Sequence, residues 1–276
     1  MTKIDSHQHF WKFDAVRDSW INDEMNIIRK DFFPEDLQPL LKQNGFDGCV
    51  AVQADQSDLE TLFLLQQAEK FDFVKGIVGW VNLRAENIEE RLQRYSRSTL
   101  VKGFRHVLQG EKQRDLMLQP AFMKGISLLK HYNFTYDILI FKDQLQYIPQ
   151  FVSSFPSQAF VIDHIAKPDI KNGELTEWKK GIETIAGFEN VFCKISGMVT
   201  EADWKNWRNE DFKPYLDVIV QAFGMNRVMF GSDWPVCLVA ASYKEMLGIV
   251  EDYFSEFSKD EQSKFFGLNA TRFYNL

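Results

Sequence analysis

The sequence predicts a single (β/α)8 barrel, or TIM barrel, and three observations lead to this fold. Short runs rich in Val, Ile, Phe and Leu alternate with longer segments of helical periodicity, which is the pattern of a parallel sheet with crossover helices. There are eight such runs, and eight parallel strands close a barrel. The chain of 276 residues has no Pro-, Gly- or Ser-rich linker, so residues 1–276 are predicted to form one domain.

The eight apolar runs define the predicted strands. In order they are Lys3–His9, Cys49–Asp55, Val74–Asn82, Leu100–Val107, Thr135–Phe141, Ala159–Ala166, Val191–Gly197 and Arg227–Trp234. The sixth and eighth runs are nearly continuous in apolar residues, as expected of strands that are buried on both faces. The alternative fold is an open, doubly wound sheet. It is disfavoured because no Gly-rich phosphate-binding loop follows the first run.

Segments with helical periodicity lie between and after these runs. They span residues 34–45, 58–71, 87–98, 119–133, 142–155, 176–188, 215–224, 242–258 and 260–275. The first segment precedes the second run, and each of the later runs is followed by at least one helical segment. This alternation supports parallel strands joined by helices rather than hairpins.

The composition excludes several classes of function. Lys and Arg number 32 and Asp and Glu number 39, which gives a net charge of −7 without a long run of one sign. Nucleic acid is therefore not an expected partner, because phosphate binding requires a basic face. The charged N-terminus is unlike a signal peptide, and no apolar run reaches the roughly 18 residues of a membrane span. The widely spaced Cys49, Cys193 and Cys237 indicate buried thiols. We expect a cytoplasmic protein without a membrane partner.

Four side chains at the ends of predicted strands are the candidate catalytic residues. His7 and His9 are two positions apart on the first strand, so both imidazoles point to the same face and can bind one ligand or one metal ion. His164 ends the sixth run, and Asp233 ends the eighth, where it can act as a general base. The alternatives are structural histidines bonded to the backbone and a carboxylate that caps a turn. The carboxyl ends of barrel strands meet at one mouth, which favours the functional interpretation.

Five further residues are candidates for substrate binding. Arg105 and His106 end the fourth run, and Lys194 lies in the seventh. A cation at the barrel mouth can bind a substrate carboxylate or hydroxyls, or can only balance a nearby acid. Trp80 and Trp234 lie beside the same mouth. Their rings suit the apolar face of a sugar, although most tryptophans are core residues.

Six motifs in this order resemble those of the amidohydrolase superfamily: IDSHQHFW, IVGWVNL, VKGFRH, DHIAKP, KISG and FGSDWPV. The pattern is most similar to the lactonase-like branch, which includes L-fuconolactonase, L-rhamnonolactonase and 2-pyrone-4,6-dicarboxylate lactonase. The resemblance implies an amidohydrolase-like barrel that opens a sugar-acid lactone to the hydroxy acid. It implies that Asp233 activates water, while the three histidines polarise the carbonyl, stabilise the oxyanion or assist the leaving ring oxygen. It places Arg105 and His106 in the substrate pocket.

The resemblance also bears on metal binding. Superfamily members with two metal ions carry a bridging Lys or Glu at the end of the fourth strand, whereas this chain has Arg105-His106 there. Related lactonases are thought to need no metal, and a lactone is already a reasonable electrophile. We therefore expect no required metal. The alternative is a single Zn²⁺ held by His7, His9, His164 and Asp233.

Two other functions fit the same residues. A zinc-dependent decarboxylase of the amino-carboxymuconate type shares the HxH pair, a mid-chain His and a late Asp, but requires tightly bound metal. A non-catalytic sugar-acid-binding protein would show saturable binding without turnover. The sequence predicts a small-molecule lactone as the substrate. It leaves the sugar, the ring size and the formation of a homo-oligomer open.

Overall fold

Eight parallel strands form one sheet that curves into a barrel. A computed structural model describes residues 2–276. The strands are β1 (Ile4–Gln8), β2 (Gly48–Val52), β3 (Val74–Gly79), β4 (Val101–His106), β5 (Thr135–Ile138), β6 (Phe160–Ile162), β7 (Val191–Ile195) and β8 (Val228–Phe230). Their order in the sheet is their order in the chain. The predicted (β/α)8 barrel is confirmed, whereas the extent of the domain over residues 1–276 stays a prediction.

Helices surround the sheet and connect its strands. The α-helices are α1 (Pro34–Gln43), α2 (Asp58–Lys70), α3 (Ile88–Tyr95), α4 (Pro120–Leu129), α5 (Ile148–Ser153), α6 (Thr176–Ala186), α7 (Asn209–Phe223), α8 (Tyr243–Tyr253), α9 (Lys259–Ser263) and α10 (Asn269–Tyr274). Short turns cover several strand ends, including the irregular turn Asp163–Ala166 after β6 and the 3-10 turn Val236–Val239 after β8. Each predicted helical segment overlaps at least one of these helices, although α7 begins at Asn209, before the predicted segment 215–224.

The barrel closes between β1 and β8 through backbone hydrogen bonds. The His9 N–H donates to the Trp234 carbonyl at 2.7 Å, and the Asp233 N–H donates to the His7 carbonyl at 2.8 Å. Gln8 and Trp234 form a parallel bridge. The residues at this closure include three of the four candidate catalytic residues, so the seam of the barrel sets the distance between the histidine pair and the acid.

A buried carboxylate reinforces the same closure. Asp5 accepts hydrogen bonds from the Ser232 N–H at 2.9 Å, the His7 N–H at 3.2 Å and the Tyr243 hydroxyl at 3.2 Å. Burial raises the pKa of Asp5 to about 6, although these donors act in the opposite direction. Asp5 therefore ties β1 to the residues after β8 and to α8.

The interface between the strands and the surrounding helices is largely apolar. Cys49, Cys193 and Cys237 are buried free thiols, as the sequence predicted. Among residues 2–276, no helix is long and apolar enough to cross a membrane. The predicted strands extend too far at their carboxyl ends, most clearly for Ala159–Ala166, of which only Phe160–Ile162 is strand. Those ends are the turns that carry the candidate site.

Two helical glycines test how closely the helices pack. A Cβ added to Gly125 in α4 would overlap the Leu83 carbonyl, whereas one added to Gly248 in α8 meets no atom within 4 Å. We predict that Gly125→Ala destabilises the fold by about 1–3 kcal/mol through overpacking. Gly248→Ala should stabilise it by about 0.5–1 kcal/mol, because alanine has the higher helix propensity. Chemical denaturation measures both, and equal effects would contradict this packing.

Candidate active site

The four candidate catalytic residues lie together at the carboxyl ends of β1, β6 and β8. The Nε2 atoms of His7 and His9 are 3.2 Å apart. Asp233 Oδ1 lies 3.3 Å from His9 Nε2, 3.8 Å from His164 Nε2 and 3.9 Å from His7 Nε2. All four side chains are buried, at no more than 4% exposure. One carboxylate oxygen is thus surrounded by three imidazole nitrogens.

The histidines are oriented through their second ring nitrogen. His9 Nδ1 lies 2.8 Å from the Val52 carbonyl. A carbonyl only accepts, so His9 donates from Nδ1, and the neutral ring carries a lone pair on Nε2. His164 Nδ1 lies 2.9 Å from the Ser196 hydroxyl, which can accept in the same way. Such partners fix the ring orientation and raise the basicity of the inward nitrogen.

His7 is held by a buried ionic network. Its Nδ1 lies 3.2 Å from Asp163 Oδ1, and Lys194 Nζ lies 3.1 Å from the same oxygen. Arg105 binds Asp163 Oδ2 at 2.9 Å, and Lys194 contacts Asp137 Oδ2 at 2.5 Å. Burial disfavours the Asp163 carboxylate, but Lys194, His7 and Arg105 hold its pKa well below the usual range. His7 Nδ1 therefore has two charged neighbours, since Lys194 Nζ lies 3.1 Å from it and the Asp163 carboxylate lies 3.2 Å from it.

The base of this network reaches the C-terminal helix. The Tyr274 hydroxyl of α10 donates to Asp137 Oδ2 at 2.8 Å, and Lys194 Nζ lies 5.4 Å above the Tyr274 ring. Burial raises the pKa of Asp137 to about 6, against the influence of Lys194. The last helix thus closes the bottom of the barrel on the residues that support His7.

The protonation of the cluster favours a cation. Burial lowers the pKa of His7 and of His164 well below the usual value, so both rings are neutral at pH 7. Burial opposes ionisation of Asp233, but His164 and His9 hold its pKa below the usual value. Ligand atoms of His7, His164 and Asp233 lie within 4.8 Å of one another. Neutral imidazoles and a carboxylate are the donor set of a zinc site.

A turn of unusual backbone conformation places His164. The four residues His164–Lys167 have φ between 48° and 57°, in the left-handed region, which costs roughly 1–2 kcal/mol for each non-glycine residue. The Lys167 N–H donates to the His164 carbonyl at 2.8 Å, and the Trp178 indole donates to the Ile165 carbonyl at 2.7 Å. Asp233 is also left-handed, with φ of 56°. Such outliers concentrate at functional sites.

A cavity of about 360 Å³ opens over the cluster. It is lined by residues from the loops after the strands: His9, Trp11, Arg17, Trp20, Ala54, Asp55, Gln56, Arg105, Val107, Gln109, Gly110, Leu139, His164, Lys167, Asp233 and Val236. This volume suits a small molecule. A larger surface groove of about 890 Å³ runs along α6 and contains none of the predicted site residues.

Arg105 and Lys194 lie at different depths. Arg105 lines the cavity, where its NH1 atom is 3.3 Å from His7 Nε2 and its NH2 atom is 2.8 Å from Gln53 Oε1. Lys194 has no exposed side-chain surface and lies below the cluster, between Asp137 and Asp163. The structure therefore gives Lys194 no access to the cavity.

The other three predicted substrate-binding residues also lie outside the cavity wall. His106 Nε2 is 2.7 Å from Glu111 Oε1, and its ring packs against Phe122. Trp234 is 2% exposed, and its ring packs edge-on against Phe32 at 5.2 Å. Trp80 binds through its backbone, where its N–H donates to the Thr61 hydroxyl at 2.8 Å. These positions are those of supporting residues.

The sequence analysis missed two kinds of site residue. Asp163 and Asp137 are buried charges in or directly after apolar strands, and a single charge in such a run was the available signal. Arg17 and Trp20 reach the cavity from the irregular segment before α1, where no periodicity gives a signal. Asp55 ends the second predicted run and could have been found by its position after β2.

Comparison with known proteins identifies close relatives. The chain is 38% identical to an L-fucono-1,5-lactonase from Burkholderia multivorans and 32% identical to an L-fucono-1,5-lactonase from Burkholderia ambifaria, each over 99% of this chain and 96% of the relative. A crystal structure of an amidohydrolase from Burkholderia multivorans with bound zinc superposes with a TM-score of 0.96 at 38% identity, over 100% of both chains.

The expectation that no metal is required is wrong on these findings. The zinc-bound relative has nearly the same fold, and His7, His164 and Asp233 form a group that can hold one ion. The physical reason is the convergence of lone pairs from neutral imidazoles on a carboxylate. The sequence shows these residue types but not the distances between them.

The family is established over almost the whole chain. The family model described as amidohydrolase matches residues 4–276, which include every strand of the barrel and all four clustered residues. The identity to the two Burkholderia lactonases extends over the same length. The chain therefore belongs to the amidohydrolase family.

Proposed function

We propose that this protein hydrolyses a sugar-acid lactone to the open hydroxy acid, and is thus a carboxylic ester hydrolase. One observation carries the proposal: Asp233 Oδ1 lies within 3.9 Å of His7, His9 and His164 under a cavity of small-molecule size. Relatives that are 38% and 32% identical over nearly the whole chain are L-fucono-1,5-lactonases. L-fucono-1,5-lactone is accordingly the first substrate to test.

The same cluster is proposed to hold one zinc ion. His7, His164 and Asp233 would be ligands, with His9 Nε2 beside them at 3.3 Å from Asp233 Oδ1. The fit rests on the neutral rings of His7 and His164, because a neutral imidazole can donate a lone pair to a metal ion. The outer ring nitrogens contact other groups: Val52 for His9, Ser196 for His164, and Lys194 with Asp163 for His7. When bound, the ion would polarise the lactone carbonyl as a Lewis acid.

Asp233 is proposed to act as the general base. Its low pKa keeps it ionised at neutral pH, so it can take a proton as a water molecule attacks the carbonyl carbon. The tetrahedral intermediate then breaks the bond between the carbonyl carbon and the ring oxygen. The proton held by Asp233 passes to that oxygen, which leaves as a hydroxyl group. The product is the hydroxy acid, and the carboxylate of Asp233 is restored.

Arg105 and Lys194 are proposed to have separate roles. Arg105 lines the cavity with its guanidinium fixed by Asp163 and Gln53, so it can orient the substrate without reorganising. Lys194 is proposed to support His7 through Asp163 rather than to contact the substrate. The other predicted binding residues, His106, Trp80 and Trp234, are proposed to pack behind the cavity.

The decarboxylase alternative has less support. A bound zinc ion fits both functions, but the curated relatives above 30% identity are lactonases. Product analysis separates the two, because a lactonase releases a proton without carbon dioxide. A homo-oligomer and a cytoplasmic location stay predictions, as does the absence of nucleic-acid and membrane partners.

Replacement of the general base is the direct test of the mechanism. We predict that Asp233→Asn lowers kcat/KM for L-fucono-1,5-lactone by about 10²–10⁴-fold, the usual contribution of a general base. Acid release is measured by pH-stat against spontaneous hydrolysis. The matched control, Asp72→Asn at an exposed position before β3, should leave the rate unchanged. A fully active Asp233→Asn protein would remove this residue from the mechanism.

Metal content is a second test, with a readout apart from activity. We predict about one zinc ion per chain in protein purified without chelator, measured by elemental analysis. Zinc at about 100 times its Kd should stabilise the metal-free protein by about 2.7 kcal/mol, which raises Tm by several degrees. Protein that retains no zinc and shows no thermal shift on zinc addition would contradict the proposed centre.

The support of His164 by Ser196 gives a third test. Ser196 Oγ lies 2.9 Å from His164 Nδ1 and is almost fully buried. We predict that Ser196→Ala weakens zinc binding about 10–100-fold, as is usual for loss of a partner that orients a ligand. Calorimetric titration with zinc measures this. Ser153→Ala, at an exposed position in α5, is the matched control. Equal zinc affinities in both variants would show that Ser196 does not orient His164.

A further inference from the structure

The cavity wall across from Asp233 is rich in uncommitted polar groups. In a ring of eight strands in sequence order, β2 and β4 lie across from β6 and β8. The loop after β2 contributes Asp55 and Gln56, and the loop after β4 contributes Gln109. The catalytic cluster and these three side chains therefore face each other over one cavity.

These three side chains have hydrogen-bonding capacity that the protein does not use. Gln109 Oε1 is buried without a hydrogen-bond partner in residues 2–276. Within the same range the Asp55 carboxylate forms no ion-pair contact, although its charge is near enough to raise the pKa of Arg17. Gln56 Oε1 accepts the Val107 N–H at 2.8 Å, which leaves its amide N–H groups available. Asp55 is half-buried and Gln56 is exposed, so of these three only Gln109 presents a buried acceptor, which is costly unless a ligand supplies the donor.

The cations of the cavity are, in contrast, already paired. Arg105 binds Asp163 at 2.9 Å and Arg17 binds Asp18 at 2.7 Å. The third cation, Lys167, lies 3.3 Å from a carboxylate oxygen of Glu201. A substrate carboxylate bound through one of these cations would have to share it with a protein carboxylate, which weakens the attraction. The wall therefore favours a neutral ligand that donates hydrogen bonds.

Two tryptophans supply an apolar surface in the same cavity. Trp11 and Trp20 line it with their rings nearly perpendicular, at 6.1 Å between centroids. Trp11 also lies 6.5 Å from the His9 ring, next to the reacting groups. Aromatic faces suit the C–H face of a sugar ring whose hydroxyls point to polar partners.

We propose that Asp55, Gln56 and Gln109 bind the ring hydroxyls of a neutral, polyhydroxylated lactone and so determine substrate preference. This inference rests on the proposed lactonase function. Asp55 and Gln109 accept hydrogen bonds from hydroxyls, Gln56 donates to a ring or hydroxyl oxygen, and the two tryptophans contact the apolar face. Lactones without hydroxyls, or with carboxylates, are poorer substrates.

The experiment compares two lactones of the same ring size. L-fucono-1,5-lactone carries ring hydroxyls, and δ-valerolactone carries none. The measured quantity is the kcat/KM for L-fucono-1,5-lactone divided by the kcat/KM for δ-valerolactone. The expected result is that Asp55→Ala reduces this ratio about 10–100-fold, which corresponds to the free energy of a hydrogen bond to a charged acceptor. Gln109→Leu should reduce it about 2–10-fold, since that acceptor is neutral. The control Asp72→Ala should leave the ratio unchanged.

The outcomes separate this inference from the proposed function. A wild-type protein that hydrolyses neither lactone overturns the lactonase proposal itself. A wild type that hydrolyses both, with the ratio preserved in Asp55→Ala, overturns only the hydroxyl-binding role. If the wild type opens only L-fucono-1,5-lactone, Asp55→Ala is expected to raise KM for this lactone. An unchanged KM would overturn the role of Asp55 in hydroxyl binding.

Two further measurements guard the interpretation. Circular dichroism and zinc content show whether Asp55→Ala folds. If it does not fold, Asp55→Asn, which keeps the side-chain size, is compared in its place. The wild type is also tested with 2-pyrone-4,6-dicarboxylate. Turnover of this dicarboxylate as efficient as that of L-fucono-1,5-lactone would overturn the assignment of a neutral substrate.

Discussion

The seam between β1 and β8 is the constraint on which the site depends. The hydrogen bond from the Asp233 N–H to the His7 carbonyl joins the first and last strands and, in the same contact, places the acid beside the histidine pair. The contact that closes the barrel therefore also assembles the site. Asp5 strengthens this seam with hydrogen bonds to both sides of it. A change that breaks these hydrogen bonds would therefore move Asp233 relative to the histidine pair.

Below the seam, buried charges fix the histidine that lies deepest. Removing Asp163, Asp137 and Lys194 from water is costly, and their mutual pairing offsets that cost only when the geometry is good. Such a network adds little to the stability of the fold. It orients His7 well, because each side chain in the network restricts the position of the side chain next to it. The Tyr274 hydroxyl extends this restriction to the C-terminal helix. The chain thus uses its last helix to hold a side chain of its first strand.

The sequence predicted the barrel and its four central residues because both depend on patterns that are local in the chain. The apolar runs located all eight strands, and strand ends located His7, His9, His164 and Asp233. The predicted strand was too long at β6, because Ile165 and Ala166 continue the apolar run in sequence although the backbone there turns in the left-handed region. Distances between residues far apart in the chain were out of reach. For this reason Lys194 was predicted in the cavity rather than below it. The metal expectation was wrong because it rested on the resemblance to lactonases and on the reactivity of a lactone rather than on the geometry of the donor atoms.

We propose that imidazole and carboxylate lone pairs at the ends of the first, sixth and eighth strands form one cation site next to the substrate cavity. Anomalous diffraction at the zinc edge, on crystals of the protein as purified, tests it most directly. One strong peak is expected at about 2.0–2.2 Å from His7 Nε2, His164 Nε2 and a carboxylate oxygen of Asp233. A peak bound elsewhere, or none at this cluster in crystals grown with zinc, would show that these residues do not form a zinc site.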